Sequence, residues 1–422
     1  MAEMESSSPL RRWLVFGAMS LAFFIVTGGT FSSLGVLLPT MVQELKWNWA
    51  EAGLGYTLLG ASCGLASLFP AFAIRTLGVR GTLLIGTVIL VAGFACLALD
   101  RSVALFWVAT TLIGIGFAFL SVVPGTHILT DLFGNRPAIL GVYFTLGALG
   151  GVAGPQIYQL TDSLFHDWRV YWWAFAVMGA ISGLLAVMAV PAHQIHPEAQ
   201  SNNAPVTPVG IVKGLGEWNV KQALATPQFY LIVGGYTSFL LVNTTTHGFA
   251  VQHLIERGVS QVNAGLMLSL EAFIGATVTL IGGFIGEKVS AKTLMIISLG
   301  AVTIGTWGLA EATSWNYMIL YIFGVGIGYG LSLLSSTLLL LNYFGKKANL
   351  ELFSIMCMLS TTAALGPFFG GWMRDVTGSF YGLLVIHAAI TLFLFVCTLF
   401  LRRPTLIGSG GFSDEKALSK DA

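Results

Sequence analysis

Two short stretches decide the fold: Phe133-Gly134-Asn135-Arg136 and, 211 residues further on, Phe344-Gly345-Lys346-Lys347. A second landmark follows each of them, Gly154-Pro155 and Gly366-Pro367, 212 residues apart. One Gly-Pro step is common in apolar helices. Two different landmarks that keep nearly one offset mark an internal repeat. Each basic turn is followed by an apolar run, and each Gly-Pro falls late in that run. In a membrane chain such a repeat implies two halves related by an axis along the membrane normal, with a site between them.

Composition places the chain in a membrane. Its 422 residues are 55% hydrophobic and 9% charged, with a mean hydropathy of +0.81. Soluble domains keep about a quarter of their residues charged to solvate the surface, so this exterior must face lipid. No basic arm or interleaved aromatic patch points to nucleic acid. No Gly-rich loop ending in GK[ST] is present, which argues against ATP-driven pumping by this chain. Cys63, Cys96, Cys357 and Cys397 all fall inside apolar runs without CxxC spacing and read as small packing residues. Neither a metal nor a cofactor is expected. Met1 to Leu10 is polar and contains acid, unlike the basic start of a cleavable leader, so the first apolar run is expected to remain as a helix.

A lipid-spanning helix needs about twenty mostly apolar residues, because its backbone groups must be satisfied internally. On that rule twelve spans are expected, near 14–41, 51–74, 81–99, 103–130, 137–160, 170–191, 228–254, 262–286, 293–311, 315–342, 350–373 and 380–401. The expected organisation is an all-α membrane protein: a six-helix bundle over 1–191, a cytoplasmic connector over 192–226, and a second six-helix bundle with a tail over 227–422. Within the connector, 209–225 has the alternation of a surface helix. With the N-terminus inside, only Lys46, Arg101, Arg169, Arg257 and Arg374 of the 20 Lys and Arg face outward. That bias predicts both termini in the cytoplasm of a bacterial inner-membrane protein.

The chain resembles the major facilitator superfamily over essentially its whole length. Gly141, Gly150, Gly154 and Pro155 match the Gly…Gly-x3-Gly-Pro pattern of that superfamily's fifth helix, although Tyr158 and Gln159 stand where a Gly-Gly would follow. Gly366-Pro367-x-x-Gly370-Gly371 carries the pattern intact in the eleventh. In the loop between helices two and three, Arg75, Gly78 and Arg80 survive from an Asp-Arg…Gly-x-Arg signature, whose Asp position is Ile74. Leu45-Lys46-Trp47-Asn48-Trp49-Ala50-Glu51 and Ile255-Glu256-Arg257-Gly258-Val259-Ser260 are similar to segments of bacterial relatives of the monocarboxylate and oxalate:formate carriers. The resemblance implies an organic-acid carrier. However, the charges those carriers use in their first and eighth helices fall at Ser32, Gly275 and Thr279 here. A small carboxylate would lack a fixed counter-charge.

An ionisable group kept deep in the bilayer is a functional candidate, because lipid disfavours a bare charge. Glu271 is the leading one and the expected proton-coupling residue. It lies about ten residues, or ~15 Å, into the eighth span. Expected substrate contacts are Thr27, Phe31, Phe119, Tyr143, Tyr236, Asn243, Glu271, Tyr329 and Thr361, with Phe119 and Tyr143 as aromatic walls. Thr244, Thr245 and Thr246 suggest a broken seventh helix. His247 is placed near its outer end as an interfacial residue, and His387 reads as packing. Arg75, Arg80, His127 and Asp131 are gating candidates, the last two as a pair four residues apart. The functional reading is a monomeric secondary transporter, moving an organic acid or related amphipathic solute by alternating access with protons. An exporter of hydrophobic compounds and a transport-incompetent sensor are the rival readings.

Overall fold

The computed structural model describes residues 9–133, 137–191, 218–286 and 288–405. Those residues form helices and no strand. In chain order the helices are α1 Pro9–Gly28, α2 Phe31–Leu45, α3 Trp49–Ala66, α4 Phe69–Ala98, α5 Val103–Leu120, α6 Val122–Phe133, α7 Pro137–Phe165 and α8 Trp168–Ala189. They continue as α9 Val220–Leu224, α10 Pro227–Glu256, α11 Gln261–Ile285, α12 Ala291–Glu311, α13 Trp315–Ser360, α14 Gly366–Thr377 and α15 Tyr381–Leu399. A 3-10 turn, Thr361–Leu365, joins α13 to α14.

Among the described residues, 10 stretches are long and apolar enough to cross a membrane. Helices α3 and α10 fall outside that measure because Gly, Ser, Thr, Asn and Tyr dilute their apolar character. Several expected spans are bent instead of straight. The first breaks at Gly29-Thr30, the fourth at Ser121, and the eleventh passes through the 3-10 turn. Inside α4 and α13 the helical run is interrupted at Gly78 (φ 74°) and Gly345 (φ 77°). Positive φ is open to glycine without a Cβ clash, and no neighbouring atom crowds either position, so backbone conformation fixes these two residues. The expected break in the seventh span does not occur. Thr244, Thr245 and Thr246 turn their hydroxyls back onto the carbonyls of Leu240, Leu241 and Asn243, which keeps α10 continuous.

In chain order the helices divide at the undescribed connector into a first group, α1 to α8, and a second, α10 to α15, and α14 and α2 pack heavily across that division. The groups touch through α2 on α10, α3 on α14 and on the 3-10 turn, and α7 on α11. The quoted landmarks anchor each group in the same way. Phe133 packs against Trp13 at 5.3 Å between ring centroids, and Phe344 against Trp218 at 5.4 Å. Within the first group, Gly150 and Gly154 lie where a Cβ would meet the carbonyl oxygens of Phe24 and Gly28 at 2.1 Å. The Gly-x3-Gly-Pro pattern therefore lets α7 lie directly on α1. Residues 192–217 of the expected connector lie outside the described residues. The described part of the expected surface helix is the five-residue α9, started by an Asn219–Gln222 capping box.

Caps at the turns reach into the core. Asp100, between α4 and α5, accepts from Ser102 N at 3.1 Å through Oδ1, while its buried Oδ2 has no hydrogen-bond partner. Burial pushes its carboxyl up to about 6, against the lowering pull of the Ser102 and Arg101 amides and the Arg169 charge. A folded-state value above the ordinary one means stability is highest at low pH and falls as pH rises through about 4 to 6. Asp100→Asn keeps the amide contact and removes the charge. With solvent screening, it is expected to stabilise the protein by about 1–2 kcal/mol at pH 8 and by almost nothing at pH 4. Melting temperatures of the two proteins at both pH values check this. Equal gains at both would show that charge is not the cause.

Candidate functional site

Glu271 sits in α11 with no exposed surface, and neither carboxyl oxygen has a hydrogen-bond partner. His247 of α10 lies beside it, with Nε2 3.8 Å from Oε2. His247 is itself buried, and its Nδ1 lies 2.9 Å from the carbonyl oxygen of Asn243, one turn earlier. A carbonyl oxygen only accepts, so Nδ1 carries the hydrogen and the Nε2 lone pair faces the carboxyl. Asn243 Oδ1 and the Tyr321 hydroxyl are buried without partners, and Tyr321 and Tyr329 of α13 lie within electrostatic reach of Glu271. His247 is thus a buried partner of Glu271 and not an interfacial residue.

The other expected residues divide by location. Tyr236, Phe239 and Tyr329 form an aromatic string, and Tyr329 also fills the space left by Gly275. Phe31 meets Phe117 edge-on at 5.9 Å, and its carbonyl accepts the Tyr56 hydroxyl. Thr27 donates to Gly147 O at 2.6 Å, and Tyr143 is fully buried and donates to Ser121 O at 3.0 Å; both tie helices together. Phe119 lies with Ala66, Ala73 and Ala118 and presses on Gly86, filling a seam between α5 and α4 in place of a cavity wall. Thr361 donates to Cys357 O at 3.1 Å and touches the surface of Gly64 in α3. Arg80 anchors α4 to the end of α8 through Val190 O at 2.7 Å, while Arg75 is exposed nearby. His127 Nε2 is buried without a hydrogen bond, and Asp131, which is exposed, acts on it only through its charge. His387 is buried and packs, as expected.

The two helix groups are joined near the turns that carry Lys46, Arg257 and Arg374, the charge-poor face. Asp375 of α14 accepts from both Trp49 N at 3.0 Å and Ala50 N at 2.7 Å. These are the first amides of α3, which have no partner within their own helix and sit at its positive end. Beside them Arg374 Nε donates to Glu256 at 2.8 Å. Gln261 reaches Thr40 at 3.1 Å, Gln156 reaches Ser269 at 3.0 Å, and Gln159 reaches Val262 O at 3.0 Å. The Gln159 that departs from the family pattern is therefore part of the seam. Glycines let backbones meet along it. A Cβ at Gly35 would lie 1.6 Å from His247 O, at Gly53 2.2 Å from Pro367 O, and at Gly371 1.8 Å from Trp49 O. Charge-assisted hydrogen bonds contribute about 1.5–3 kcal/mol, so Asp375→Ala is expected to speed hydrogen exchange at Trp49 and Ala50 by tenfold or more. Unchanged exchange at those two amides would show that Asp375 does not hold them.

The sequence profile of the Major Facilitator Superfamily matches residues 19–346 and 241–420. The chain belongs to the Major Facilitator Superfamily. Members similar to it include the uncharacterized transporter YycB of Bacillus subtilis, 25% identical across 87% of this chain and 88% of that protein. The cyanate transport protein CynX of Escherichia coli is 23% identical across 87% of this chain and 92% of its own length. Human monocarboxylate transporter 11 is 24% identical across 90% of this chain and 80% of that one. Among solved structures, a mutant of the nucleoside transporter NupG superposes with a TM-score of 0.73, covering 92% of this chain and 99% of that chain at 15% identity, which supports the fold alone. The protein is thus a multi-pass membrane transporter of this superfamily.

Sequence reasoning missed the His247–Glu271 pairing, although the signal was present. His247 lies 9 residues before the end of α10, and Glu271 lies 10 residues after the start of α11. Two helices joined by a short turn run antiparallel, so equal distances from the turn put the two residues at one depth. Tyr321, Asp375 and Gly35 had no comparable signal, because their partners belong to helices remote in sequence.

Proposed function

We propose that this transporter moves a small organic solute by alternating access and couples the movement to protons at Glu271. The observation that carries the reading is a carboxyl with no exposed surface and no hydrogen-bond partner on either oxygen, inside a membrane helix of a transporter. A carboxylate left bare in such a place costs several kcal/mol, so the sealed state favours the protonated group. Opening to water relieves that cost and lets the proton leave. The residues near it are aromatic and polar, with Asn243 one turn before His247 and Tyr321 and Tyr329 of α13 within electrostatic reach.

An organic acid or related amphipathic molecule is the proposed cargo, supported by the cyanate and monocarboxylate relatives. With Ser32, Gly275 and Thr279 at the positions where similar carriers hold charges, such an acid would be held by hydroxyls and amides, or enter protonated. The charge-poor face is proposed to be extracytoplasmic, with both termini inside, on the Lys and Arg bias. The described conformation is then closed outside.

The test begins with a thermal-stabilisation screen of the purified protein against short monocarboxylates, cyanate and nucleosides. The best binder is then followed into liposomes with an imposed pH gradient. Accumulation driven by the gradient, lost in Glu271→Gln, is the expected result, and its direction separates import from export. Gradient-driven flux surviving in Glu271→Gln would sink the coupling role.

A further inference from the structure

Resting on the reading of Glu271 as the coupling residue, a second group enters the site. We propose that His247 is a second proton-holding group, trading one proton with the Glu271 carboxyl beneath a seal made by α2. Three observations carry this. The Nδ1 hydrogen is committed to Asn243 O at 2.9 Å, which leaves the Nε2 lone pair open, 3.8 Å from Oε2. No hydrogen bond holds either carboxyl oxygen elsewhere, so the carboxyl is free to turn toward Nε2. The carbonyl of the same His247 is the point on which Gly35 of α2 rests.

The step balances within the pair. In one form Oε2 carries the hydrogen and donates it to Nε2. In the other the Oε2–H bond has broken, its electron pair remains on the carboxylate, and the imidazole lone pair has formed an Nε2–H bond. The Nδ1–H bond to Asn243 is unchanged, and the pair has no net charge in either form. A single proton therefore satisfies two buried titratable groups at once, and neither is left bare while the seal is closed. Among the described residues, the other titratable groups found beside the pair are phenols. Tyr321 and Tyr329 come from α13, and Tyr56 of α3 lies against Gly248 with its hydroxyl on Phe31 O. Gln156 of α7 faces Ser269 and carries no charge. Because the seal rests on His247, lifting α2 wets the pair and opens a path for the proton to the charge-poor face.

Magnetic resonance of the full-length protein in lipid nanodiscs, with nitrogen-15 histidine and carbon-13 glutamate, reads the sharing directly and needs no substrate. His247 is assigned by the signal missing from His247→Gln, and Glu271 by the one missing from Glu271→Gln. The expected wild-type result is that the Nε2 and carboxyl signals move together in one wave as pH is changed. Two independent waves would overturn the proposal without any substitution that could disturb folding. In Glu271→Gln the His247 Nε2 signal is expected to shift while the Nδ1 signal stays, and an unmoved Nε2 would also overturn it. Either negative result leaves Glu271 as the coupling group if its substitution still abolishes gradient-driven flux. Coupled signals together with intact flux in Glu271→Gln would uphold the shared proton and remove its role in transport.

Discussion

Gly35→Val is expected to abolish turnover, by a hundredfold or more, while leaving a folded, monodisperse protein. The Cβ alone would sit 1.6 Å from His247 O and 2.8 Å from its carbonyl carbon, well inside the ~3.5 Å at which carbon atoms pack. Those atoms are backbone in the middle of α10 and have no rotamer to give way. Helix α2 would have to lift by about 1.5–2 Å, and packed interfaces respond to such a demand by separating, not by deforming smoothly. The variant is therefore expected to rest with the charge-poor face open. Faster hydrogen exchange over residues 35–40 and 247–250, with the folded fraction unchanged, checks the structural part; substrate flux in liposomes checks the rest. Wild-type flux in Gly35→Val would mean that the α2–α10 contact is not visited during transport.

Glu271→Gln is the second large effect. The amide matches the carboxyl in shape but holds no exchangeable charge, so the substitution isolates the proton. Accumulation driven by a pH gradient is expected to fall a hundredfold or more, while exchange of solute across the membrane in the absence of a gradient persists. That split distinguishes a coupling residue from a simple substrate contact, whose removal weakens both. Melting temperature is expected to change little, because Glu271 gives up no hydrogen bond in the described state. A loss of several degrees would point to a structural role instead. Asp375→Ala offers a contrast: its carboxylate binds the first amides of α3, so its effect should appear in the exchange of Trp49 and Ala50 before it appears in coupling.

Much of the architecture was legible because membrane helices declare themselves by length and apolarity. Residues 262–286 and 315–342 were expected as spans and appear as α11 and the first part of α13. The bends were harder to read. Gly29-Thr30, Ser121 and the 3-10 turn at Thr361–Leu365 interrupt runs that are apolar on both sides, so composition gives no sign of them. The three threonines of α10 misled for the opposite reason. They look like an interruption, yet a Thr hydroxyl can satisfy itself on its own helix. Glu271 stood out from composition alone, as a lone acid at depth. Phe119 was expected as an aromatic wall, but residue type says nothing about which side of its helix a residue faces, and it lies against Ala66, Ala73 and Gly86.

The sequence by itself determined the membrane class, the repeat, the approximate spans and the one deep carboxyl, because each is set by local chemistry: apolar length, turn residues, and the cost of a charge in lipid. Only the tertiary structure decided what that carboxyl meets. His247 across the α10–α11 turn, Tyr321 from α13, the α2 backbone over Gly35, and the grip of Asp375 on the start of α3 all join residues from different helices. Such contacts depend on how each helix is rotated about its axis and which helices lie side by side. Those quantities are fixed by packing over the whole molecule, and no single stretch of chain encodes them.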